Sequence, residues 1–356
     1  MNIIHLVSNK VWGGGEQYVL DLCRRLDADG HSVAVITRGI EAVDAPFRKA
    51  GFTPGHLPLG GVFDFISSSR LSRVLDNMSE PVVVHVHNFK DARTAVRARQ
   101  MMRRPGAVRV VVTRHLVKPG KTDRASASLY GAIDAIAFVS QTALDAFLSS
   151  GPRVDRAKLS VIHNAVVDCG EVVAADRQPG ELRIVYAGRL AAEKGIEKLL
   201  EALPLFPQNA VLHIAGSGKA NYEVALRRYA SSVGVGDRIV WHGHLSNLAP
   251  LMASADIGIL PSIVTEAFPL VVLEFMRHGT PVITTNRGGQ TEVITDGVNG
   301  ILTPPGDAGA IADAVGRLAA DRVLTARMGE AARAKAEADF NYEQFYNKIL
   351  RLYDCL

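Results

Sequence analysis

The chain has 356 residues, of which 47% are hydrophobic and 21% charged, with three cysteines and a formal net charge of +4. That length suffices for about two domains, each able to bury roughly two-thirds of its unfolded surface without staples. Cys23, Cys169 and Cys355 are odd in number, far apart and without Cys-x-x-Cys spacing, which excludes a disulfide framework or metal finger and points to packing roles in a reducing compartment. Charge is unevenly shared: residues 1–168 carry 22 Lys and Arg against 15 Asp and Glu, and the remainder 18 against 21. A basic first half fits an anionic partner, such as a phosphate-bearing acceptor or an anionic bilayer, and equally an ordinary solvated face. The opening MNIIHLVSN has no basic leader and too short an apolar run for a signal peptide or span, so a cytoplasmic location is expected, with any bilayer contact at the inner membrane face.

Residues 2–8 form an apolar run of strand length, and the following VWGGGEQYVLDLCRRL places Val19, Leu20, Cys23 and Leu26 at helical spacing. This is strand, glycine loop, helix. Gly13, Gly14 and Gly15 let backbone approach a ligand and leave N–H groups at a helix start for an anion. The spaced glycines of a dinucleotide fingerprint are absent, and a tight turn without a ligand is the other reading. Further strands are expected at residues 31–37, 81–87, 108–114 and 135–139, with helical patterns between them, which implies a doubly wound parallel sheet. His85 and His87, two apart, face one side of their strand near its end. With His115 they make either a three-histidine metal site or acceptor-side contacts, the second being favoured because no carboxylate spacing supports a metal. The segment KDARTAVRARQMMRRPGAVR carries six arginines up to Arg109 and reads as a basic helix with an apolar side, suited to peripheral membrane contact or to a soluble surface. Ser140 is read as a helix N-cap. After a strand at 159–163 the periodicity fades from about Asp168, and Pro179 and Gly180 precede a new strand, which marks a domain boundary.

The second half opens with a strand at 182–187 ending in Gly188 and Arg189, and a helix begins after Lys194 and Gly195. Next come a strand and a Gly-Ser-Gly turn with Gly216 and Gly218. Asn221 stands where a third fingerprint glycine belongs and Ala220 where a P-loop has Ser or Thr, so NAD and ATP readings lose ground. The run DIGILP, residues 256–261, reads as a buried parallel strand. Glu266 follows its end, and Glu274 lies eight residues on, in an expected helix at 270–276. Ligands bind at that edge of open α/β sheets. Two carboxylates beside a helix N-terminus suit a ligand with hydroxyls and phosphates, such as a nucleotide sugar; two solvated glutamates flanking an amphipathic helix are the plainer alternative. A long helical region is expected at 308–338. The final NYEQFYNKILRLYDCL is amphipathic through Phe345, Ile349, Leu352 and Tyr353.

Residues 266–294, with Glu266, Phe268, Leu270, Glu274, Gly279, Pro281, Gly288 and Gly289 in place, resemble the signature of the retaining glycosyltransferases of family 4. Gly188, Arg189, Leu190, Glu193, Lys194 and Gly195 are similar to that family's Gly-Arg-Leu and Glu-Lys-Gly elements. Gly13, Gly14 and Glu16 resemble its Gly-Gly-x-Glu loop, and His115 its Thr-x-His histidine, although Leu116 replaces the frequent Asp. Asn164 is followed by Ala165 instead of Gly, and His242 stands for a Phe beside Val240 and Gly243. The resemblance implies an α/β protein of GT-B fold: two Rossmann-like, doubly wound parallel-sheet domains facing across a cleft. Residues 1–168 would be the acceptor side, 169–181 a linker, 182–338 the nucleotide-sugar domain and 339–356 a helix crossing back to the first domain.

By the same resemblance Glu274 would bind the ribose hydroxyls, Glu266 the sugar hydroxyls, and Arg189 with Lys194 the diphosphate. Backbone at Leu270 and Val271 would meet the distal phosphate, Phe268 and Pro269 would stand where Phe-Gly is commoner, and Gly14, Gly188, Gly216, Gly243, His244 and Leu245 would line the donor. His115, placed against the donor sugar, joins Arg189, Lys194 and Glu266 as catalytic, while Gly15, His85, His87 and Lys118 are read as acceptor-side. The implied reaction moves a sugar from a UDP- or GDP-type donor to a hydroxyl of a glycan or lipid-linked acceptor, with retention, through a short-lived oxocarbenium ion whose departing diphosphate takes the acceptor proton. No cofactor, metal or nucleic acid is called for. A nucleotide-sugar 2-epimerase or a non-catalytic nucleotide-sugar binder are the alternatives, separated by whether a new glycosidic bond appears.

Overall fold

The computed structural model describes residues 1–79, 81–168 and 170–354. Cys169 and Cys355 lie outside the described residues, and Cys23 is a buried free thiol in the helix Gly14–Ala28. The chain divides into two units, Met1–Asn164 with Glu343–Leu356, and Ala165–Tyr342. Each is an α/β unit built on its own parallel sheet.

In the first unit the strands are β1 (Asn2–Leu6), β2 (Ser32–Thr37), β3 (Gly55–His56), β4 (Val82–Val86), β5 (Val108–Arg114), β6 (Ala135–Phe138) and β7 (Leu159–Val161). They pair in parallel in the order β3-β2-β1-β4-β5-β6-β7. Near-continuous apolar runs such as VVVHV form the middle of this sheet because a parallel strand covered by helices must bury both faces. The chain steps outward from β1 to β3 and returns on the other flank of β1 with β4, so the order reverses between β1 and β4. The last helix, Tyr342–Asp354, turns Phe345, Ile349 and Tyr353 inward, and Glu343 pairs with Arg25.

The second unit contains β8 (Leu182–Ala187), β9 (Ala210–Ala215), β10 (Ile239–Gly243), β11 (Ile257–Leu260), β12 (Val282–Thr285) and β13 (Gly300–Thr303), in the order β10-β9-β8-β11-β12-β13. Here the reversal falls between β8 and β11. The helix Leu270–Arg277 is seated on β11 through Phe275, which is fully buried; a Cβ at Gly258 would come 2.6 Å from its ring, so the strand needs glycine there. One expectation is corrected. The helical region from Ala308 is two helices, Ala308–Ala320 and Arg322–Asp339, broken at Asp321, whose carboxylate caps the second by accepting from the Leu324 N–H at 2.8 Å. Among the described residues no helix is long and apolar enough to cross a membrane.

Replacing Phe275 with Ala removes the anchor of the helix Leu270–Arg277 and is expected to lower stability by about 3 to 5 kcal/mol in a urea titration; a loss below about 1 kcal/mol would mean the helix is held by other contacts.

Candidate active site

Ligand sites in open parallel sheets form where the strand order reverses, outside the carboxyl ends of the strands. In the second unit β8 ends at Ala187 and passes through Gly188 and Arg189 into a short turn, Ala192–Lys194, while β11 passes from Pro261 through Glu266 to Pro269 and the following helix. The two loops meet across the reversal. Lys194 Nζ donates to Glu266 Oε1 at 2.6 Å, and Ser262 Oγ donates to the same oxygen at 2.6 Å. The lysine and glutamate side chains keep only 20% and 15% of their exposure, so both charges are largely withdrawn from water and depend on each other.

The loops are stitched by backbone. Ile263 N–H donates to the Glu193 carbonyl at 3.0 Å, and Gly289 N–H, in the loop after β12, donates to the Glu266 carbonyl at 2.8 Å. Gly195 adopts φ +72, and a Cβ there would fall 2.1 Å from the Pro261 carbonyl oxygen. A Cβ at Gly216 would fall 1.8 Å from the Gly188 oxygen. Both glycines are therefore required by loop packing. Beneath them Thr285 Oγ1 donates to the Ser262 carbonyl at 2.9 Å and Gln290 Nε2 to Thr285 Oγ1 at 2.8 Å. Tyr186, buried at the end of β8, donates to the Arg189 carbonyl at 2.8 Å; burial first, and the nearby Glu266 carboxylate second, push its phenol far above the ordinary value. Sequence reasoning missed Tyr186, Ser262, Thr285 and Gln290. Single polar residues inside apolar runs break no periodicity, and the threonine pair closing a buried strand was the one available signal.

The other donor-side residues are distributed as follows. Arg189 does not join the Lys194–Glu266 pair: its Nη2 donates to Glu193 at 2.6 Å and its side chain is 60% exposed. Glu274 is half-buried on the second turn of the helix that Leu270 and Val271 open, and Pro269 is its N-cap. Phe268 turns its ring into the interior against Phe340, so any donor contact there falls to backbone. Gly243 closes β10 and its carbonyl accepts from Gly216 N–H at 2.7 Å; His244 is exposed and Leu245 half-buried just beyond. His242 bonds inward to His213 Nδ1 at 2.9 Å.

In the first unit the reversal between β1 and β4 gathers histidines. Register sets His5 beside His85, and His5, His85 and His87 bring ring nitrogens within 4.8 Å of one another. The trio within metal-holding distance is thus His5, His85 and His87, where the sequence had pointed to His85, His87 and His115. In this structure these nitrogens bond to one another and to hydroxyls, except the buried His5 Nε2, which has no hydrogen-bond partner among the described residues. His5 Nδ1 and His87 Nε2 are 3.2 Å apart, and His87 Nδ1 and His115 Nε2 are 3.4 Å apart. His85 meets the Tyr353 hydroxyl at 2.7 Å and Thr113 Oγ1 at 2.8 Å. Direct acceptor contact by His85 is corrected, because it is fully buried with both nitrogens engaged. His87 and His115 are half-buried. Burial holds His5 down to about 3 and His115 to about 4, and burial followed by neighbouring imidazoles drives His85 and His87 well below the usual range. All four are neutral at pH 7, able to donate with one nitrogen and accept with the other. Gly13 caps the helix that Gly14 and Gly15 open, and Glu16 is buried, accepting from Asn9 Nδ2, its carboxyl raised chiefly by burial. Lys118 is exposed.

Two parallel-sheet units, each gathering loops at a reversal of strand order, define a GT-B type glycosyltransferase architecture. Residues 12–168 match the family model described as Glycosyltransferase Family 4, and residues 174–335 that described as Glycosyl transferases group 1. The chain belongs to the group 1 glycosyltransferases and is an enzyme of glycosyl transfer. It is 27% identical over 384 residues to a glycogen synthase of Mycobacterium tuberculosis, covering 96% of this chain and 91% of the relative. It is 28% identical over 386 residues to a D-inositol 3-phosphate glycosyltransferase of Mycolicibacterium smegmatis, covering 96% and 86%. Its fold is similar to that of Anabaena Alr3699/HepE in complex with UDP and glucose, with a TM-score of 0.83 and 19% identity over 100% of both chains.

Because their folded pKa values lie below the unfolded 6.5, the imidazoles support folding fully above that pH and withdraw support as pH falls toward about 3 for His5 and about 4 for His115. Each adds a slope of about 1.4 kcal/mol per pH unit in that window. The raised carboxyls of Glu16, Asp21 and Asp91 act in the opposite sense. Comparison with His5→Asn isolates one imidazole: its urea unfolding free energy should fall less steeply between pH 6.5 and 4 by about one proton, and an identical slope would show that His5 is not held neutral.

Proposed function

We propose that the protein transfers a sugar, with retention and without a metal, from a nucleoside diphosphate sugar of UDP or GDP type to a hydroxyl of a glycan or lipid-linked acceptor. The observation that carries this reading is the Lys194–Glu266 pair at the reversal point of the second sheet. A diphosphate oxygen competes for the ammonium and a sugar hydroxyl for the carboxylate, so a single ligand satisfies both when it separates them. Lys194 then neutralises the diphosphate as it departs. The N–H groups of Leu270 and Val271, at the start of the helix behind Glu266, add donors for the distal phosphate.

Arg189 reaches the same diphosphate by leaving Glu193. An exposed pair four residues apart is worth about 0.3 to 0.5 kcal/mol, against about 1.5 to 3 kcal/mol for a charge-assisted hydrogen bond, so the exchange favours the ligand. Glu274 takes the ribose hydroxyls. His115, a neutral imidazole of the first unit, has the donor and acceptor character to bond a sugar hydroxyl. The bond from the anomeric carbon to the diphosphate breaks first, the acceptor oxygen attacks the resulting oxocarbenium ion on the same face, and its proton passes to the departing diphosphate. A UDP-type donor is the first to try, since Alr3699/HepE is known in complex with UDP and with UDP-glucose.

The test is product formation from a panel of UDP- and GDP-sugars, with the anomeric configuration read by NMR. Retention is expected, with turnover unchanged by EDTA and lowered about 10²- to 10³-fold by Glu266→Gln or Lys194→Met. An inverted product, or activity abolished by chelation and restored by a divalent ion, would overturn the proposal.

A further inference from the structure

A surface helix turns its apolar stripe inward and its polar residues outward. The helix Phe65–Asp76, FISSSRLSRVLD, does largely the reverse. Its buried positions are Ser67, Ser68, Leu71, Ser72 and Leu75, while Phe65, Ile66 and Val74 are exposed. The inward serines are satisfied locally: Ser67 Oγ accepts from Leu59 N–H at 3.0 Å, and Ser68 Oγ and Ser72 Oγ donate to the Asp64 and Ser69 carbonyls at 2.9 Å. The apolar outward face therefore arises without unmet hydrogen bonds inside. It continues into the preceding loop, where Val62 is exposed and Phe63 is 82% exposed.

The loop is held in shape. Leu59 is fully buried at φ +45, a conformation that side chains beyond glycine seldom adopt, and Asp64 turns inward to accept from Gly60 N–H at 2.6 Å. Arg97 donates to the Val62 carbonyl at 3.0 Å and lies 4.2 Å over the Phe65 ring. Arg70 and Arg73 are exposed on the same helix. Phe63, Phe65 and Ile66 thus stand among Arg70, Arg73 and Arg97, with Asp76 at the far end of the helix, where its carboxylate accepts from Arg103 N–H.

We propose that this loop and the outer face of the helix Phe65–Asp76 dock on an anionic lipid bilayer, the aromatic and aliphatic tips entering the headgroup boundary and the arginines pairing with lipid phosphates. Charge decides the occupant: two copies of this patch would oppose arginine with arginine, whereas an anionic surface meets all three. The helix Phe89–Met101, where the arginine-rich sequence had pointed, supplies Arg97 but buries Ala92, Ala95, Val96 and Ala98 inward. It has little apolar surface of its own to insert. The loop also follows the carboxyl end of β3, the sheet edge from which the loops after β1 and β4 rise.

The test is flotation with vesicles of phosphatidylcholine alone or mixed with phosphatidylglycerol. The protein should bind the mixed vesicles at least tenfold more tightly, and raising salt from about 0.1 to 0.5 M should release it. Phe63→Ser with Ile66→Ser, and separately Arg70→Ala with Arg73→Ala, should each weaken binding at least tenfold while leaving the melting temperature and donor hydrolysis unchanged, because these side chains are exposed and far in sequence from the donor residues. Failure to bind, equal binding by the variants, or a wild-type dimer that Phe63→Ser dissociates would overturn the proposal. The flotation and melting readouts are independent of whether the donor assignment holds.

Discussion

The second unit depends on an ion pair that contributes little to its stability. Lys194 and Glu266 are 2.6 Å apart and mostly withdrawn from water, so the attraction between them is offset by what each lost in hydration. Such a pair is maintained by the surrounding fold: Gly195 packs under Pro261, Ser262 binds the carboxylate, and Gly289 fixes the Glu266 backbone. All of this lies where β8 and β11 neighbour each other after the chain has gone outward and come back. Strand order creates the crevice, and glycines let the loops close over it.

The first unit applies the same topology to different chemistry. Its reversal point, between β1 and β4, is occupied by neutral imidazoles, His87 bonding directly to His5 and His115 while His85 bonds the Thr113 and Tyr353 hydroxyls, and by a buried Glu16 that fastens the loop after β1. One unit presents paired charges, the other a set of uncharged donors and acceptors.

Much of this was legible in the residues. The strand at 182–187 is β8, and the helix expected at 270–276 is Leu270–Arg277, because apolar runs of strand length and helical spacing are strong local signals. The family resemblance pointed to Lys194 and Glu266 one by one, the first for a diphosphate and the second for a sugar, and their pairing with each other is visible only in the fold. What stayed hidden depended on pairing across the chain or on single buried polar atoms. His5 meets His85 only because β1 and β4 are in register, 80 residues apart in sequence. Asp321 breaks a helix by capping the next one, which a continuous helical pattern conceals. The helix Phe65–Asp76 turns its serines inward, so its apolar outer face follows no ordinary amphipathic pattern.

The most direct test of the central claim is calorimetric binding of a nucleoside diphosphate and of its sugar derivative to the protein, to Lys194→Met and to Glu266→Gln. If the pair is divided between diphosphate and sugar, the lysine variant weakens both ligands about tenfold or more, whereas the glutamine variant weakens only the sugar derivative. Equal losses for both ligands in the Glu266 variant, or none in the Lys194 variant, would contradict the account.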